Sequence, residues 1–295
     1  MSKTKLKHAS YSIKKLIDIS KLSFQTKSNY KDILKLCVKN LDDLGYQLDN
    51  IKQLKQKHIC NLVDYWKDQY LDVATIKNRM STLRYACRLL KKANVVFSND
   101  HYDIGQRTYV PTSNKAIKNV NLTKINNLYV KQSLKLQQLF GLRREESIKF
   151  NVSVADKGDY IELKSSWTKG GIGRIIPVAN QEQRDCLEQI KQLCKVKSLI
   201  QEERNFIEQR NLYDRLTHNA GLRNLHGLRH AYAQKRYFNL TNELSKDTGW
   251  HSPLDGGKSR SKLSKYEKKI DLKAREIISR ELGHSRVAIT KVYLG

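Results

Sequence analysis

Long apolar runs are missing from this chain. No stretch approaches the ~20 consecutive apolar residues that a membrane-spanning helix needs, so no membrane segment is expected. The first residues, Met1-Ser2-Lys3-Thr4-Lys5, are basic, but no apolar stretch follows, and a signal peptide is not expected either. Cysteine is sparse and unpaired in pattern. Cys37, Cys60, Cys87, Cys186 and Cys194 form no Cys-x-x-Cys string, and none sits beside a histidine cluster. That argues against a zinc site and against a disulfide framework, and it fits a reducing, cytoplasmic compartment. Cys37 and Cys87 fall on apolar helix faces and read as small core residues. A Gly-x-x-x-x-Gly-Lys-Ser/Thr loop is absent, so ATP is not implied. Carboxylates do not cluster, so no two-metal site is expected. Neither a metal nor a cofactor is called for.

Negative charge is scarce as well. The 295 residues hold 56 Lys and Arg against 29 Asp and Glu, a formal net charge of +27. The surplus is spread along the whole chain rather than gathered in one tail. A field of that size implies a polyanionic partner, of which nucleic acid is the usual one. Charge alone leaves DNA and RNA undecided. Hydrophobic residues make up 39% of the chain, adequate for globular packing but not rich. The length allows one large domain or two ordinary ones.

What is present begins with helical periodicity. Tyr30, Ile33, Leu34, Cys37, Val38 and Leu41 recur at helical spacing, predicting a helix from about Ser28 to Leu44 that Gly45 stops. Ile59, Leu62, Val63, Trp66 and Tyr70 mark a second helix, and Ile76, Met80, Leu83, Cys87 and Leu90 a third. Lys77, Arg79 and Arg84 lie on polar faces. Residues 1–105 therefore read as a basic helical bundle. Residues 106–119 lack periodicity and read as a linker. The second part, residues 120–295, opens with a helix from about Thr123 to Phe140. Asp159–Leu163 is a strand candidate, and two more strands flank the turn Lys169-Gly170-Gly171-Ile172-Gly173, the last running through Arg174 to Val178. From about Gln181 the chain returns to helix. Residues 245–264 form a Gly/Ser/Lys-rich loop, and Ser264-Lys265-Tyr266-Glu267 has the form of a capping box opening a helix with Ile270, Ala274, Ile277, Ile278 and Leu282 on one face. The fold class is mainly α: a helical bundle, then a mostly helical domain with a small antiparallel sheet.

Three strings stand out, in order. Gly141-Leu142-Arg143-Arg144-Glu145-Glu146 is a Gly-Leu-Arg-x-x-Glu; His226-Gly227-Leu228-Arg229 is a His-x-x-Arg; Gly283-His284 is followed nine residues on by Tyr293. They offer two guanidiniums, two imidazoles and a phenol. Each string alone is weak in a basic chain, and one tyrosine among 15 means little by itself. The ordered set carries the signal.

That set resembles the tyrosine recombinase family of phage-type integrases, in which Arg, Lys, His-x-x-Arg, Gly-His and Tyr follow in this order. The resemblance covers roughly the second half of the chain. The closing strings Arg280-Glu281-Leu282-Gly283-His284 and Val292-Tyr293-Leu294-Gly295 are similar to those of integrases from integrative mobile elements. The gap of 55 residues from Arg229 to His284 is longer than in compact members.

The resemblance implies a site-specific recombinase that breaks and rejoins DNA through a 3′-phosphotyrosine, without metal or ATP. Tyr293 would be the nucleophile. Arg143 and Arg229 would contact the non-bridging oxygens, with Arg143 rather than Arg144 in register and Glu146 in support. His226 would assist the phenol proton or hold the phosphate, and His284 would donate to a phosphate oxygen. Lys169 would be the general acid for the leaving 5′-oxygen, with Lys164 in competition. Lys77, Arg79, Arg84, Gly170, Gly171 and Arg174 are the expected DNA contacts, while His218 and His230 are left unexplained. The bundle would act as the core-binding domain and clamp double-stranded DNA opposite the catalytic domain. A homo-oligomer on DNA is implied, a tetramer in this family, with accessory DNA-bending proteins as further partners. Only Leu294 and Gly295 follow Tyr293, so the loop 245–264, with Trp250 as an apolar anchor, becomes the candidate for protomer or DNA contact. Two alternatives stay open: a non-catalytic DNA-binding relic of an integrase, and a basic RNA-binding protein with a coincidental motif.

Overall fold

The computed structural model describes residues 3–246 and 248–295. The chain divides into two compact units, one ending at Thr108 and one starting at Tyr109.

The first unit is a helical bundle of α1 (Lys3–Asp18), α2 (Phe24–Asp43), α3 (Gln56–Asp68) and α4 (Val73–Leu89). α2 starts a turn earlier than its apolar stripe suggests, because the Ser23 hydroxyl accepts the Thr26 N–H at 3.3 Å. Its apolar residues Leu34, Cys37, Val38 and Leu41 are buried against Leu62 and Trp66 of α3 and Met80 and Leu83 of α4 in one core. Trp66 is fully buried, and its indole N–H is satisfied by Asn40 Oδ1 at 3.0 Å. α1 was not foreseen. Ala9, Ile13, Leu16 and Ile17 form its buried face, a stripe too short to stand out among the lysines around it.

The polar faces of this unit are not uniformly free. Arg84, expected to contact DNA, donates from Nε and NH2 to the Phe97 carbonyl at 3.1 and 2.6 Å and from NH2 to Asn99 Oδ1 at 2.7 Å. It ties down the chain that follows α4, and burial lowers its pKa. The Arg79 guanidinium lies over the Trp66 ring at 5.0 Å, and Lys77 is half-buried.

The second unit contains α5 (Leu128–Phe140), α6 (Arg144–Lys149), α7 (Val152–Ala155), β1 (Tyr160–Leu163), β2 (Arg174–Pro177), α8 (Gln181–Cys194), α9 (Phe206–Asn219), α10 (Gly227–Ser245), α11 (Lys265–Glu281) and α12 (Lys291–Leu294). It is mostly helical, with a two-stranded antiparallel sheet that sets Tyr160 opposite Pro177 and Leu163 opposite Arg174. The extra strand expected before the glycine turn is instead a 3₁₀ turn, Ser165–Trp167. Trp167 packs toward Phe150 at 6.2 Å, which draws the chain out of the sheet.

Residues 106–119, read as a linker, are partly docked. The Ile117 N–H donates to the Gly227 carbonyl at 2.9 Å, and the side-chain amides of Asn114 and Gln234 pair at 3.2 and 2.8 Å. The helix expected from Thr123 begins at Leu128, where Asn127 Oδ1 caps the Val130 N–H at 3.1 Å. Leu122 and Ile125 pack onto a satellite core without being helical.

The segment after α10 carries two short 3₁₀ turns, Pro253–Asp255 and Arg260–Lys262. Trp250 faces inward rather than outward: its indole N–H reaches the Tyr237 hydroxyl at 3.2 Å and its backbone N–H the Thr241 hydroxyl at 3.0 Å. α11 opens with the reciprocal cap its sequence predicts, Ser264 and Glu267 exchanging bonds of 3.1 and 2.7 Å. Among the described residues, no helix is long and apolar enough to cross a membrane. No group of three or more His, Cys, Asp or Glu among them could hold a metal ion.

Candidate active site

The site forms where two helices end and a third begins. α5 stops at Gly141, which adopts φ +63; a methyl group there would come within 2.5 Å of the Tyr232 ring. The left-handed turn and the lack of room both require glycine. α11 stops in a Schellman turn. The Gly283 N–H bonds the Arg280 carbonyl at 2.9 Å, and the His284 N–H bonds the Ser279 carbonyl at 2.8 Å. Helix C-termini present carbonyls without intrahelical donors and a partial negative charge.

Arg229, on the first turn of α10, exploits both ends. It is 1% exposed. NH1 donates to the Gly141 carbonyl at 2.5 Å, NH2 to the Leu282 carbonyl, and Nε to the Tyr293 hydroxyl oxygen at 3.4 Å. Burial is the main force lowering its pKa to about 10, with the neighbouring Arg143 and Arg174 adding to it. The group still carries its charge at neutral pH.

Arg143 enters just after the Gly141 turn, at the cap of α6. Glu146 reaches back to it: Oε2 accepts the Arg143 backbone N–H at 2.7 Å and Oε1 accepts its NH1 at 2.8 Å. The same carboxylate takes two bonds from Arg174, at 3.0 and 2.6 Å. Burial would raise the Glu146 pKa, but the Arg174 and Arg143 guanidiniums outweigh it and bring it down to about 2. Arg174, expected as a DNA contact, is instead turned inward. It is 7% exposed, and its Nε is taken by the Glu281 carbonyl at 2.7 Å. Arg144 points elsewhere, to Asp214 at 2.5 Å.

Tyr293 sits on α12 with 4% of its surface exposed. Three imidazoles surround its ring: His230 at 4.6 Å between centroids, His284 at 5.5 Å and His226 at 6.2 Å. Burial lowers the pKa of all three, reinforced by the nearby cations. It falls to about 3 for His284, beside Arg229 and Arg143, and to about 4 for His230, beside His226 and Lys115. His226 is shifted the same way by crowding of its ring and by Arg229 and Arg143, though the residue keeps an exposed side. Neutral imidazoles can accept or donate a hydrogen bond without adding positive charge.

Arg143, Glu146, His226, Arg229, His284 and Tyr293 thus share one locus, where the guanidiniums of Arg143, Arg174 and Arg229 exceed the charge of the single carboxylate by two. Such a surplus suits an anion. Lys169 is not in the cluster. It is exposed at the hairpin tip and makes no hydrogen bond or ion pair among the described residues, as Gly170 and Gly171 beside it are open to solvent. The base of the hairpin does border the site, because a cleft of about 540 Å³ is lined by Ile172, Gly173, Arg174, Gly283 and His284. Lys164, the competing lysine, is exposed at the end of β1. His218 lines a separate cleft of about 450 Å³ with Arg144, Arg223 and His226. Sequence reasoning missed His230 and Gln234. The available signal was their spacing, one and two turns after His226 on the same helix face.

The family described as "Phage integrase, N-terminal" matches residues 6–96, and the family described as "Integrase" matches residues 105–235. No curated protein matches the sequence. The fold is shared with the Tn1549 transposon integrase in complex with transposon right end DNA, at 13% identity and a TM-score of 0.53, covering 96% of this chain and 95% of that chain. It is shared also with the XerH site-specific recombinase bound to a palindromic difH substrate, at 16% identity and a TM-score of 0.50, covering 92% of this chain and 77% of that chain. With two integrase families matched in succession and an integrase-like fold in both units, the chain belongs to the tyrosine recombinase family of phage-type integrases.

Proposed function

We propose that this chain cuts and rejoins double-stranded DNA at a specific site through a covalent 3′-phosphotyrosine at Tyr293. The observation that carries this reading is the placement of the Tyr293 hydroxyl against Arg229 Nε at 3.4 Å, inside a ring of three imidazoles. The net charge of +27 and the DNA held by the two structural relatives support DNA as the substrate.

In this mechanism the Tyr293 oxygen attacks the phosphorus, a P–O bond forms, and the bond to the 5′-oxygen breaks. Arg143 and Arg229 meet the charge that grows on the non-bridging oxygens; each donor of this kind lowers the barrier by roughly 3–4 kcal/mol. His226 takes the phenol proton, and His284 donates to a phosphate oxygen. Lys169, carried in by the hairpin, protonates the leaving 5′-oxygen. The 5′-hydroxyl of a second strand reverses the steps and rejoins the backbone. The arginines provide the positive charge at phosphorus, so the proposal requires no metal and no ATP. Recombination needs two strand exchanges on paired sites, which calls for a homo-oligomer, a tetramer in the full assembly, with accessory DNA-bending proteins as possible additions.

Tyr293 and Arg229 are both buried, so attack on a phosphate requires α12 to shift. That burial is also what a non-catalytic DNA-binding descendant would retain. A nicked suicide substrate, which loses its short 5′ fragment on cleavage, separates the two readings. The expected result is a covalent adduct that maps to Tyr293 and vanishes in Tyr293→Phe while DNA retention stays. Tight binding with no adduct in the parent chain establishes the non-catalytic reading instead.

A further inference from the structure

One face of α10 touches Tyr293 at three points. Arg229 meets the hydroxyl, His230 packs on the ring, and Gln234 donates to the Tyr293 backbone carbonyl at 3.1 Å. The mechanism above uses the first of these. His230 is 3% exposed and is the nearest of the three imidazoles to the phenol.

Two hydrogen-bonding capacities are unfilled at this contact. His230 Nδ1 is buried with no partner. The Tyr293 oxygen accepts from Arg229, but its own hydrogen is given to no acceptor among the described residues. A buried polar atom left alone costs about 1–3 kcal/mol, and a phenylalanine at position 230 would pack on the phenol without that cost. Native structures rarely keep such an orphan without a use for it. A neutral imidazole has one lone pair to accept with. Neutrality is enforced by burial and by the charged and titratable groups facing the ring, which are His226 and Arg229 on α10 and Lys115 on the segment before α5. Tyr293 faces it from α12.

Resting on the reading of Tyr293 as nucleophile, we propose that His230 is a positioning residue for it. The ring braces the phenol, and the unpartnered Nδ1 receives the hydroxyl's hydrogen bond once Arg229 turns to the phosphate, until the proton leaves for His226 as the P–O bond forms. The oxygen lone pairs are then left directed at phosphorus.

The test uses the full chain on the nicked suicide substrate, at saturating DNA. His230→Phe keeps the packing and removes the acceptor. It is expected to slow adduct formation at least about 100-fold, the scale of a misplaced reactive group, with the DNA dissociation constant within about twofold of the parent. His230→Asn places an oxygen near the Nδ1 position and is expected to recover to within about tenfold. His230→Gln, whose oxygen lies near Nε2, is expected to remain slow, so the Asn/Gln pair decides the matter even if the Phe variant does not fold. A parental rate in His230→Phe, or equal loss in Asn and Gln, overturns the proposal while leaving Tyr293 as nucleophile. A parent chain that forms no adduct at Tyr293 overturns both.

Discussion

Glu146 and Arg174 face each other across 28 residues of sequence as a buried, two-bonded ion pair, with N–O distances of 3.0 and 2.6 Å. The same carboxylate holds the backbone and side chain of Arg143. The hairpin strand β2, the start of α6 and, through the Arg174 bond to the Glu281 carbonyl, the end of α11 are therefore linked by one acid. Arg143 has its direction set from behind, leaving its remaining donors for a phosphate.

This pair makes stability pH-dependent in a defined window. The Glu146 pKa is about 2 in the folded chain against an ordinary 4.5. A lowered folded pKa means that the unfolded chain binds a proton first. The contribution is complete above about pH 4.5 and is lost as the pH falls through about 2, amounting to roughly 3 kcal/mol. Glu146→Gln is expected to cost about 3–5 kcal/mol at pH 7, because it leaves Arg174 buried without its counter-charge, and to flatten the acid limb of a urea-unfolding series. Glu145→Gln, on the exposed side of α6, is the control and is expected to change stability by less than about 0.5 kcal/mol. An acid limb identical in the parent and Glu146→Gln counts against the assignment.

The two adjacent arginines are expected to behave differently. Arg143 is held by Glu146 at the site, while Arg144 pairs with Asp214 at 2.5 Å and both of those side chains are about half-exposed. Arg143→Lys loses the planar fork that matches two phosphate oxygens, and strand cleavage is expected to fall at least about 100-fold. Arg144→Lys is expected to stay within a few-fold of the parent. Single-turnover cleavage rates of the two variants decide between them, and a greater sensitivity at Arg144 reverses the register.

How far the sequence foretold this site depended on distance along the chain. Gly141 and Gly283 were legible because a glycine at a helix end marks a left-handed turn, and Ser264 with Glu267 because a cap is a local exchange of bonds. The pairing of Arg229 with Tyr293 was legible only through the ordered motif. The inward turn of Arg174 was not legible because nothing local says that a strand arginine will meet a carboxylate 28 residues back. His230 was passed over because its neighbour on the ring, Tyr293, arrives from the far end of the chain. α1 was missed because its four buried residues are diluted by lysine, and its helix depends on packing against α2 more than on its own pattern.

Lys169 is expected to show a leaving-group signature. It stands exposed at the hairpin tip, just before Gly170 and Gly171 and outside the ring of imidazoles, so its proposed task is confined to the 5′-oxygen. Lys169→Ala is expected to be strongly impaired on ordinary DNA and to recover on a substrate with a bridging 5′-sulfur, since a thiolate leaves without a proton. Lys164→Ala serves as the comparison and is expected to show no such recovery. Equal impairment of Lys169→Ala on both substrates reduces the residue to a positional contact.

Trp250 fastens the segment from 245 to 264 to the rest of its unit. Its indole N–H bonds the Tyr237 hydroxyl, which in turn donates to Asp271 Oδ1 at 2.7 Å, so the segment is fastened to both α10 and α11. Fully buried tryptophans cost about 3–5 kcal/mol when cut to alanine. Trp250 is half-buried, so Trp250→Ala is expected to cost roughly 2 kcal/mol and to lower the melting temperature of the second unit by several degrees. Lys258 is different, because its pair with Glu267 at 3.3 Å lies on the surface. Lys258→Ala is expected to leave stability unchanged within about 0.5 kcal/mol, and any effect it has on cooperative DNA binding then reports on contact with DNA or a second protomer rather than on folding. Thermal unfolding of both variants, followed by mobility shift on DNA, separates the two roles. A stable Trp250→Ala would mean that the segment rests on the unit without supporting it.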